Sequence, residues 1–308
     1  MTEIDKAISE FFLQIQNGFL TTFLSFATHF GEMVFFMYFF CCIYWLFGKH
    51  NAYRFLILFV ISTAVNQIIK FLVKRPRPFI YPQYGFIPPD GIYTSGFSFP
   101  SGHSTNISFE AMFGIQIAPS RWRKVVIPVA IFMSLLVGVS RIYLFQHFFT
   151  DVLVGLMMGS VLVYAMYPLF KKWKKDITLI AIGVATVLSI LTIFFDLLGY
   201  NYVIYFFLAV FIAEFLIRRF PIKNPDPTTV VKPLFRLITG SLGFLVLILP
   251  GLLLEGIAPW VMGIVLPLAG FWAIYGLAFV LPKLKFLPKQ AVETTPAPPL
   301  VNTPDSAL

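Results

Sequence analysis

Long runs of apolar residues constrain this chain more than any other feature of its sequence. A helix needs about 20 apolar residues to cross the hydrocarbon core of a bilayer. Suitable runs occur at 33–47, which is short, and at 53–73, 104–118, 125–144, 148–170, 177–198, 202–217, 237–254 and 259–281. Only 12% of the 308 residues are charged, whereas a soluble domain has about a quarter. The sequence therefore predicts an all-α polytopic membrane protein with about nine transmembrane helices.

The segment before the first run, residues 8–30, has a different helical pattern. One face is apolar, with Phe12, Ile15, Phe19, Phe23, Phe26 and Phe30, and the opposite face is polar, with Glu10, Gln14, Asn17, Thr21, Ser25 and Thr28. A helix with a single polar stripe is typical of the membrane interface. We expect an interfacial helix here, and a tenth span is the alternative. The acidic start of the chain shows no secretory signal peptide.

Basic residues predict the orientation, because cytoplasmic loops carry an excess of lysine and arginine. Alternate connections hold 17 of the 23 basic residues: Lys49, Arg54, Arg121, Arg123, Lys124, Lys171, Lys172, Lys174, Lys175, Arg218, Arg219, Lys223, Lys232, Arg236, Lys283, Lys285 and Lys289. This side should be the cytoplasm, and it includes the C-terminus. The net charge of +9 is thus explained by the membrane, and we expect no nucleic-acid partner. The other side keeps Lys6, Lys70, Lys74, Arg75, Arg77 and Arg141, which need another reason to be there.

Three polar stretches fall on that second side of the membrane. The first runs from Lys70 to Arg77-Pro78, the second is Pro100-Ser101-Gly102-His103, and the third runs from Ser140-Arg141 through His147 to Asp151. Guanidinium groups bind phosphate oxygens in a bidentate manner, and a lysine adds a point charge. Ser101 and Gly102 open a helix, where free backbone N–H groups favour an anion. Together these features indicate a phosphate site.

Two histidines could perform the chemistry at such a site. His147 and Asp151 are one helical turn apart, so the carboxylate can hold one imidazole nitrogen and leave the other for the substrate. A histidine oriented in this way can act as a nucleophile, and His103 can protonate the leaving oxygen. We expect no metal and no other cofactor, because two histidines and one carboxylate lie among many cations.

Each stretch also has a simpler interpretation when it is taken alone. The basic cluster could bind lipid headgroups, the Ser-Gly-His segment could be a helix cap, and the His–Asp pair could be structural. Their coincidence on one face favours the phosphate site.

The three stretches carry a family resemblance. The sequence resembles the type 2 phosphatidic acid phosphatase (PAP2) superfamily, whose signature is K-x6-R-P, then P-S-G-H, then S-R-x5-H-x3-D. All three parts match here without a gap, and the resemblance covers roughly residues 5–170. The resemblance implies a phosphohistidine on His147, with Asp151 as its orienting partner and His103 as the general acid. It further implies a phosphate cradle formed by Lys70, Arg77, Ser101, Gly102 and Arg141.

The function implied is hydrolysis of a lipid phosphate or diphosphate at the extracytoplasmic face of a cell membrane. An isoprenoid diphosphate such as undecaprenyl diphosphate is the first candidate, although many bacterial phosphatases for it carry Asp where this chain has Gly102. Phosphatidic acid, phosphatidylglycerol phosphate and sphingoid phosphates are alternatives. So is a soluble substrate, as in glucose-6-phosphatase. A lipid transporter or flippase is the alternative from another class, and the oligomeric state is left open.

The expected organisation has three parts. Residues 1–175 form the catalytic membrane domain with its interfacial helix, residues 176–289 add transmembrane helices of unknown role, and residues 290–308 form a disordered cytoplasmic tail. Glu110 and Glu214 lie inside predicted spans, where carboxylates are functional candidates or buried packing elements. Asn66 lies one turn before Lys70 and is a candidate supporting residue.

Overall fold

The computed structural model describes residues 2–172, 183, 201–220, 233–254 and 258–281, and every regular element in these ranges is helical. The principal helices are α1 (Glu3–Gln14), α2 (Gly18–Thr28), α3 (Met33–Phe47), α4 (Lys49–Val73), α5 (Gly102–Ile117), α6 (Arg123–Tyr143), α7 (Phe149–Lys172), α8 (Asn201–Arg219), α9 (Pro233–Leu254) and α10 (Met262–Val280). A π-helical turn, Trp272–Gly276, interrupts α10. The predicted span 177–198 and the predicted tail 290–308 lie outside the described residues.

Five of the described helices are long and apolar enough to cross a membrane, namely α4, α6, α7, α9 and α10. Together α2 and α3 make a sixth candidate, bent by 53° where they join. The helix α5 has only 16 residues and carries polar side chains, since it begins at the second sequence motif. The described residues therefore establish an integral membrane protein with five or six candidate spans.

The N-terminal segment forms two helices instead of one. Thr2 and Asp5 form a capping box at the start of α1, and Asn17 caps α2 by accepting a hydrogen bond from the backbone N–H of Leu20 at 2.9 Å. A capping side chain satisfies N–H groups that have no partner within the helix. The break at residues 15–17 thus follows from local sequence.

The two faces of this segment are oriented in an informative way. Phe19 is 78% exposed and Phe26 63% exposed, whereas Asp5, Ser9 and Thr28 are buried. Of the predicted polar stripe, Glu10, Gln14 and Asn17 are exposed. In α2, however, the phenylalanine stripe faces outward and Thr28 faces the protein. This orientation suits a lipid environment, where outward-facing side chains are apolar and polar side chains pair inside the bundle.

Small residues allow α5 and α7 to pack very closely. A Cβ at Gly155 would lie 2.6 Å from the carbonyl oxygen of Ser101, and one at Gly159 would collide with the carbonyl oxygen of Thr105. Glycines four residues apart let two membrane helices approach backbone to backbone. This contact places the first turn of α5 beside the first turn of α7, where two of the sequence motifs meet.

The helices α8 and α10 pack principally against each other, and α9 packs against both α10 and α3. The indole N–H of Trp45 on α3 donates to the carbonyl oxygen of Ala273 at 2.9 Å, and Tyr38 and Ser241 are joined by a hydrogen bond of 2.8 Å. The ring of Trp45 also lies against Gly240, where a Cβ would come within 2.7 Å of it. The C-terminal helices thus adjoin the bundle on the side of α3.

The two carboxylates inside predicted spans have different surroundings. Glu214 on α8 is buried and lies 3.3 Å from the Nζ of Lys49 and 3.6 Å from the Nε of Arg218, so it links α8 to the start of α4. Glu110 on α5 is also buried, and within the described residues neither of its carboxyl oxygens has a hydrogen-bond partner. The two carboxylates thus differ, since Glu214 forms ion pairs and Glu110 has no hydrogen-bond partner among the described residues.

Candidate active site

The site is built around the tight connection between α6 and α7. Residues 144–148 are buried, and Phe145 adopts a left-handed backbone conformation with φ of 52°. The chain folds back so that the backbone N–H of His147 donates to the carbonyl oxygen of Arg141 at 3.1 Å. This turn fixes the imidazole of His147 against the start of α7.

His147 and Asp151 lie close together, with Ser98 beside both. The Nδ1 of His147 is 3.9 Å from an Oδ of Asp151. The hydroxyl of Ser98 donates to the same carboxylate at 2.5 Å and lies 3.3 Å from Nδ1. Nδ1 therefore faces the Ser98–Asp151 pair, which leaves Nε2 on the opposite edge of the ring. Ser98 precedes the second motif by two residues and was not predicted from the sequence.

The surroundings of His147 favour its neutral form. Burial lowers the pKa of His147 well below the ordinary value for histidine, and the positive charges of Arg77, Lys70 and Arg141 lower it further. An unprotonated nitrogen is what a nucleophile requires. The imidazole is thus available for attack at neutral pH.

Arg77 lies on the Nε2 side of the histidine. Its Nη1 is 3.4 Å from Nε2 of His147 and donates to the carbonyl oxygen of Gln146 at 2.9 Å. Its Nε and Nη2 donate to the carbonyl oxygens of Gly96 and Ser95, each at 2.9 Å. These carbonyl groups hold a buried guanidinium beside the atom that faces away from Asp151.

Lys70 and Arg141 add positive charge from two other helices. The ammonium of Lys70, near the end of α4, donates to the carbonyl oxygen of Phe97 at 2.8 Å. Arg141, near the end of α6, is buried and donates to the hydroxyl of Thr28 at 2.8 Å. Both interact electrostatically with His147, so the structure brings all three predicted cations to one histidine.

Ser101, Gly102 and His103 form the start of α5. The hydroxyl of Ser101 caps the helix by accepting from the backbone N–H of Ser104 at 3.4 Å, and the backbone N–H of Ser101 donates to the carbonyl oxygen of Asp151 at 3.0 Å. A Cβ at Gly102 would meet no atom within 4 Å, so the backbone there borders open space. His103 packs against Gly31 and interacts electrostatically with His147.

Asn66 has a clear structural partner. Its side-chain amide donates to the hydroxyl of Thr105 at 3.0 Å, and that hydroxyl donates to the carbonyl oxygen of Ser101 at 2.9 Å. Asn66 therefore supports the start of α5 from the neighbouring α4.

Arg75 connects Asp151 to a second buried carboxylate, that of Asp5. The guanidinium of Arg75 donates to Asp151 at 2.5 Å through Nη1 and to Asp5 at 2.6 Å through Nη2. The guanidinium also lies 4.4 Å from the ring centroid of Phe148. Arg75 stands inside the first motif, but the motif does not indicate its partners. Asp5 carries no sequence signal beyond its place in the first turn of a helix.

The loop of residues 79–99, which is rich in aromatic residues, contacts the residues of the site. Gln146 joins the loop to the site, since it accepts from the hydroxyl of Thr94 at 2.5 Å and donates to the carbonyl oxygen of Ile92 at 2.7 Å. Phe86 is buried and its ring centroid lies 5.2 Å from that of Phe145. The loop therefore packs on the α6–α7 connection.

Among the described residues, no group of three or more His, Cys, Asp or Glu side chains is placed to hold a metal ion.

The fold and the site define a helical membrane protein with two histidines and several cations gathered at one end of its bundle. The family model of the PAP2 superfamily matches residues 51–175. Phosphatidylglycerophosphatase B of Bacillus subtilis (strain 168) is 30% identical over 181 residues, which cover 56% of this chain and 85% of that protein. This chain belongs to the PAP2 superfamily, and its relatives are phosphatases of membrane lipids.

Other relatives differ in their named substrates. Sphingosine-1-phosphate phosphatase 1 of Rattus norvegicus is 28% identical over 180 residues, which cover 56% of this chain but 41% of that protein. Undecaprenyl-diphosphatase BcrC of Bacillus subtilis (strain 168) is 30% identical over 131 residues, 40% of this chain and 62% of that protein. One solved structure also resembles this chain. It is described as the crystal structure of the first transmembrane PAP2 type phosphatidylglycerolphosphate phosphatase from Bacillus subtilis. The match has a TM-score of 0.48 at 30% identity and covers 56% of this chain and 87% of that one.

Proposed function

We propose that this protein hydrolyses the phosphate ester of a membrane lipid through a phosphohistidine on His147. The observation that carries the proposal is the environment of that ring, with Nδ1 facing Ser98 and Asp151 and Nε2 facing the guanidinium of Arg77. Membership of a family of lipid phosphatases supports the same reaction.

In the first half of the reaction Nε2 of His147 attacks phosphorus. The N–P bond forms while the P–O bond to the lipid breaks, and a protonated His103 gives its proton to the departing oxygen. Burial and the charges of Arg141, Arg77 and Lys70 lower the pKa of His103 in the free protein, and the negative charge of the bound phosphate opposes this shift. Lys70, Arg77 and Arg141 stabilise the charge on the phosphoryl group as it moves from the lipid oxygen to Nε2 of His147. The imidazole keeps its Nδ1 proton and becomes positively charged, so Asp151 stabilises the intermediate.

In the second half water replaces the histidine. The neutral His103 takes a proton from water as its oxygen attacks phosphorus, the N–P bond breaks, and inorganic phosphate leaves. Both histidines then return to their starting protonation states. Each histidine therefore acts once in each half of the reaction.

The lipid class is inferred from the relatives and from the space at the site. A lipid phosphomonoester such as phosphatidylglycerol phosphate is favoured, because the named phosphatidylglycerophosphatase is matched over most of its length. An isoprenoid diphosphate is the second candidate, since the open space at Gly102 leaves room for further phosphate oxygens and another relative is an undecaprenyl-diphosphatase.

Phosphate release from the detergent-solubilised full chain tests the reaction and the substrate together. We expect phosphatidylglycerol phosphate to be hydrolysed faster than sphingosine 1-phosphate, undecaprenyl diphosphate and glucose 6-phosphate. Faster release from undecaprenyl diphosphate would instead select the second candidate. No release from any substrate would contradict the proposed enzyme.

The roles of the histidines are separated by two variants. His147→Ala should abolish turnover and rapid-quench trapping of acid-labile phosphate on the protein. His103→Ala should slow lipid hydrolysis by about 10²–10⁴-fold, the usual worth of acid–base assistance, but should form the phosphoenzyme more readily from p-nitrophenyl phosphate. His50→Ala is the matched control, because His50 is in the first turn of α4, at the opposite end from Lys70. Trapped phosphate on His147→Ala would overturn the assignment.

We further propose that the site faces the extracytoplasmic side and the C-terminus the cytoplasm. The guanidinium of Arg54 donates to the carbonyl oxygen of Lys171 at 3.2 Å, and Lys49 pairs with Glu214. The start of α4 and the ends of α7 and α8 therefore meet at one end of the bundle, away from His147. Their basic residues favour a cytoplasmic location for that end.

Impermeant thiol labelling of intact cells tests this orientation in a variant that lacks Cys41 and Cys42. Ser95→Cys should be labelled from outside, and Lys172→Cys only after the membrane is opened. The reverse pattern would contradict the proposed orientation.

A further inference from the structure

We propose that Asp5 is a positioning residue of the active site, which keeps the charge of Asp151 available to His147 by neutralising Arg75. The proposal rests on the proposed phosphohistidine and concerns a residue outside the part matched by the family model, residues 51–175. It assigns a catalytic consequence to the N-terminal helix α1.

The contacts of Asp5 reach from α1 to the start of α7. Its Oδ2 accepts from Arg75 at 2.6 Å, and its Oδ1 accepts from the backbone N–H and the hydroxyl of Thr150, each at 2.9 Å. The N–H of Thr150 lies in the first turn of α7, where backbone N–H groups have no partner within the helix. Asp5 is fully buried and thus caps α7 from another helix.

Arg75 is shared between two carboxylates. Its Nη1 donates to Asp151 and its Nη2 to Asp5, and its side chain is 15% exposed. The pKa of Asp5 is lowered to about 2, because hydrogen bonds from Thr150, Arg75 and Thr2 together outweigh the opposing effect of burial. Asp5 is therefore ionised throughout the physiological range.

The charges of this group determine what His147 experiences. Asp5 and Asp151 contribute two negative charges and Arg75 one positive charge, so the three side chains carry a net charge of −1. Without the charge of Asp5, Arg75 would neutralise Asp151. The phosphorylated imidazole carries a positive charge, so it is stabilised by a net negative group and much less by a neutral one.

The surrounding cations make this negative charge necessary. Lys70, Arg77 and Arg141 all act electrostatically on His147, and they disfavour any positive charge on the ring. Asp151, 3.9 Å from Nδ1, is the carboxylate that opposes them. Because Asp5 neutralises Arg75, the negative charge of Asp151 is not cancelled by Arg75.

The test measures single-turnover phosphoenzyme formation by rapid quench in the full-length protein, with thermal stability and inhibition by inorganic phosphate recorded for each variant. Asp5→Asn keeps an oxygen that can accept from Arg75 but removes the charge. We expect phosphorylation to slow about tenfold, because Arg75 then neutralises Asp151 and an opposite charge close to an ionisable group is worth about one pKa unit or more, with phosphate inhibition unchanged. Glu10→Gln, an acid-to-amide change on the same helix at an exposed site, should leave the rate unaltered.

The double variant Asp5→Asn/Arg75→Gln separates charge balance from simple anchoring of α1. It restores a net charge of −1, so phosphorylation should be several times faster than in Asp5→Asn alone. A double variant no faster than Asp5→Asn, or a single variant as fast as wild type, would overturn the proposal while leaving the phosphohistidine mechanism intact. No trapped phosphate on the wild-type protein would overturn both.

Discussion

Two parts of this chain flank the region matched by the PAP2 family model, and they differ in how they relate to the active site. The N-terminal segment, residues 2–31, contacts the site through Asp5, Thr28 and Gly31. The C-terminal helices α8–α10 pack on one another and meet the rest of the bundle chiefly at α3. The comparison shows that residues outside the matched region contact the site from the N-terminal segment, so we expect substitutions there to affect turnover more than substitutions in α8–α10.

The polar contacts of the two parts also lie in different places. The N-terminal segment is joined to residues near the site, including Tyr143, whose hydroxyl lies 3.0 Å from the hydroxyl of Thr21. The C-terminal helices make their hydrogen bonds to Trp45 and Tyr38 of α3 and pack Gly240 closely against the ring of Trp45. Polar contacts fix direction as well as distance, so they suit a segment that must hold charged side chains in place.

Two matched glycine substitutions should give the largest difference. A Cβ at Gly31 would lie 2.8 Å from the Cβ of His103, and one at Gly240 would lie 2.7 Å from the ring of Trp45. Gly31→Ala should lower kcat by about 10²-fold, because a displacement of about 1 Å at a reacting group can cost that much. Gly240→Ala should lower the melting temperature with little change in kcat. Equal effects on kcat would break the comparison.

The next largest effect is expected for the contribution of Asp5 to stability at low pH. Because its folded pKa is about 2 and the ordinary value is 3.8, its contribution is fully present above pH 4 and is lost as the pH falls toward 2. The difference corresponds to about 2 kcal/mol. The wild type should therefore lose about that much more stability than Asp5→Asn between pH 4 and pH 2, measured by unfolding in a neutral detergent. Parallel curves for the two proteins would contradict this.

A smaller effect is expected at Thr28. Thr28→Val keeps the side-chain shape but removes the hydroxyl that accepts from Arg141 at 2.8 Å. Losing a hydrogen bond to a charged group should raise KM about tenfold. Ser241→Ala, which removes the hydrogen bond to Tyr38 on the C-terminal side, should leave KM unchanged. A raised KM for Ser241→Ala would show that the C-terminal helices also reach the site.

The smallest effect on turnover is expected from removing the C-terminal helices altogether. We propose that residues 1–175 form a separate catalytic domain, since the three motifs end at Asp151. A chain stopped after Lys175 should keep its kcat for a short-chain lipid phosphate within about tenfold, with lower thermal stability because α3 loses its packing partners. A truncated chain that is folded but inactive would show that α8–α10 complete the site.

Much of the site could be predicted from the sequence because its chemistry is local in the chain. His147 and Asp151 lie on one helical turn, and Ser101 begins a helix whatever surrounds it, since capping depends on neighbouring residues. The apolar runs likewise determine most of the helices by length and composition alone. The count of nine spans stays a prediction, because the described residues hold five or six candidates.

The tertiary structure decided which surfaces these helices present to one another. The helical periodicity of residues 8–30 divides the segment into two faces, but only packing brings Thr21 to Tyr143 and Thr28 to Arg141. Arg75 is 70 residues from Asp5 and 76 from Asp151 along the chain, and no local pattern relates them. A buried charge requires a partner whatever its distance in sequence, and only the fold brings Asp5 to Arg75. The fold likewise places Ser98 between the carboxylate of Asp151 and the ring of His147.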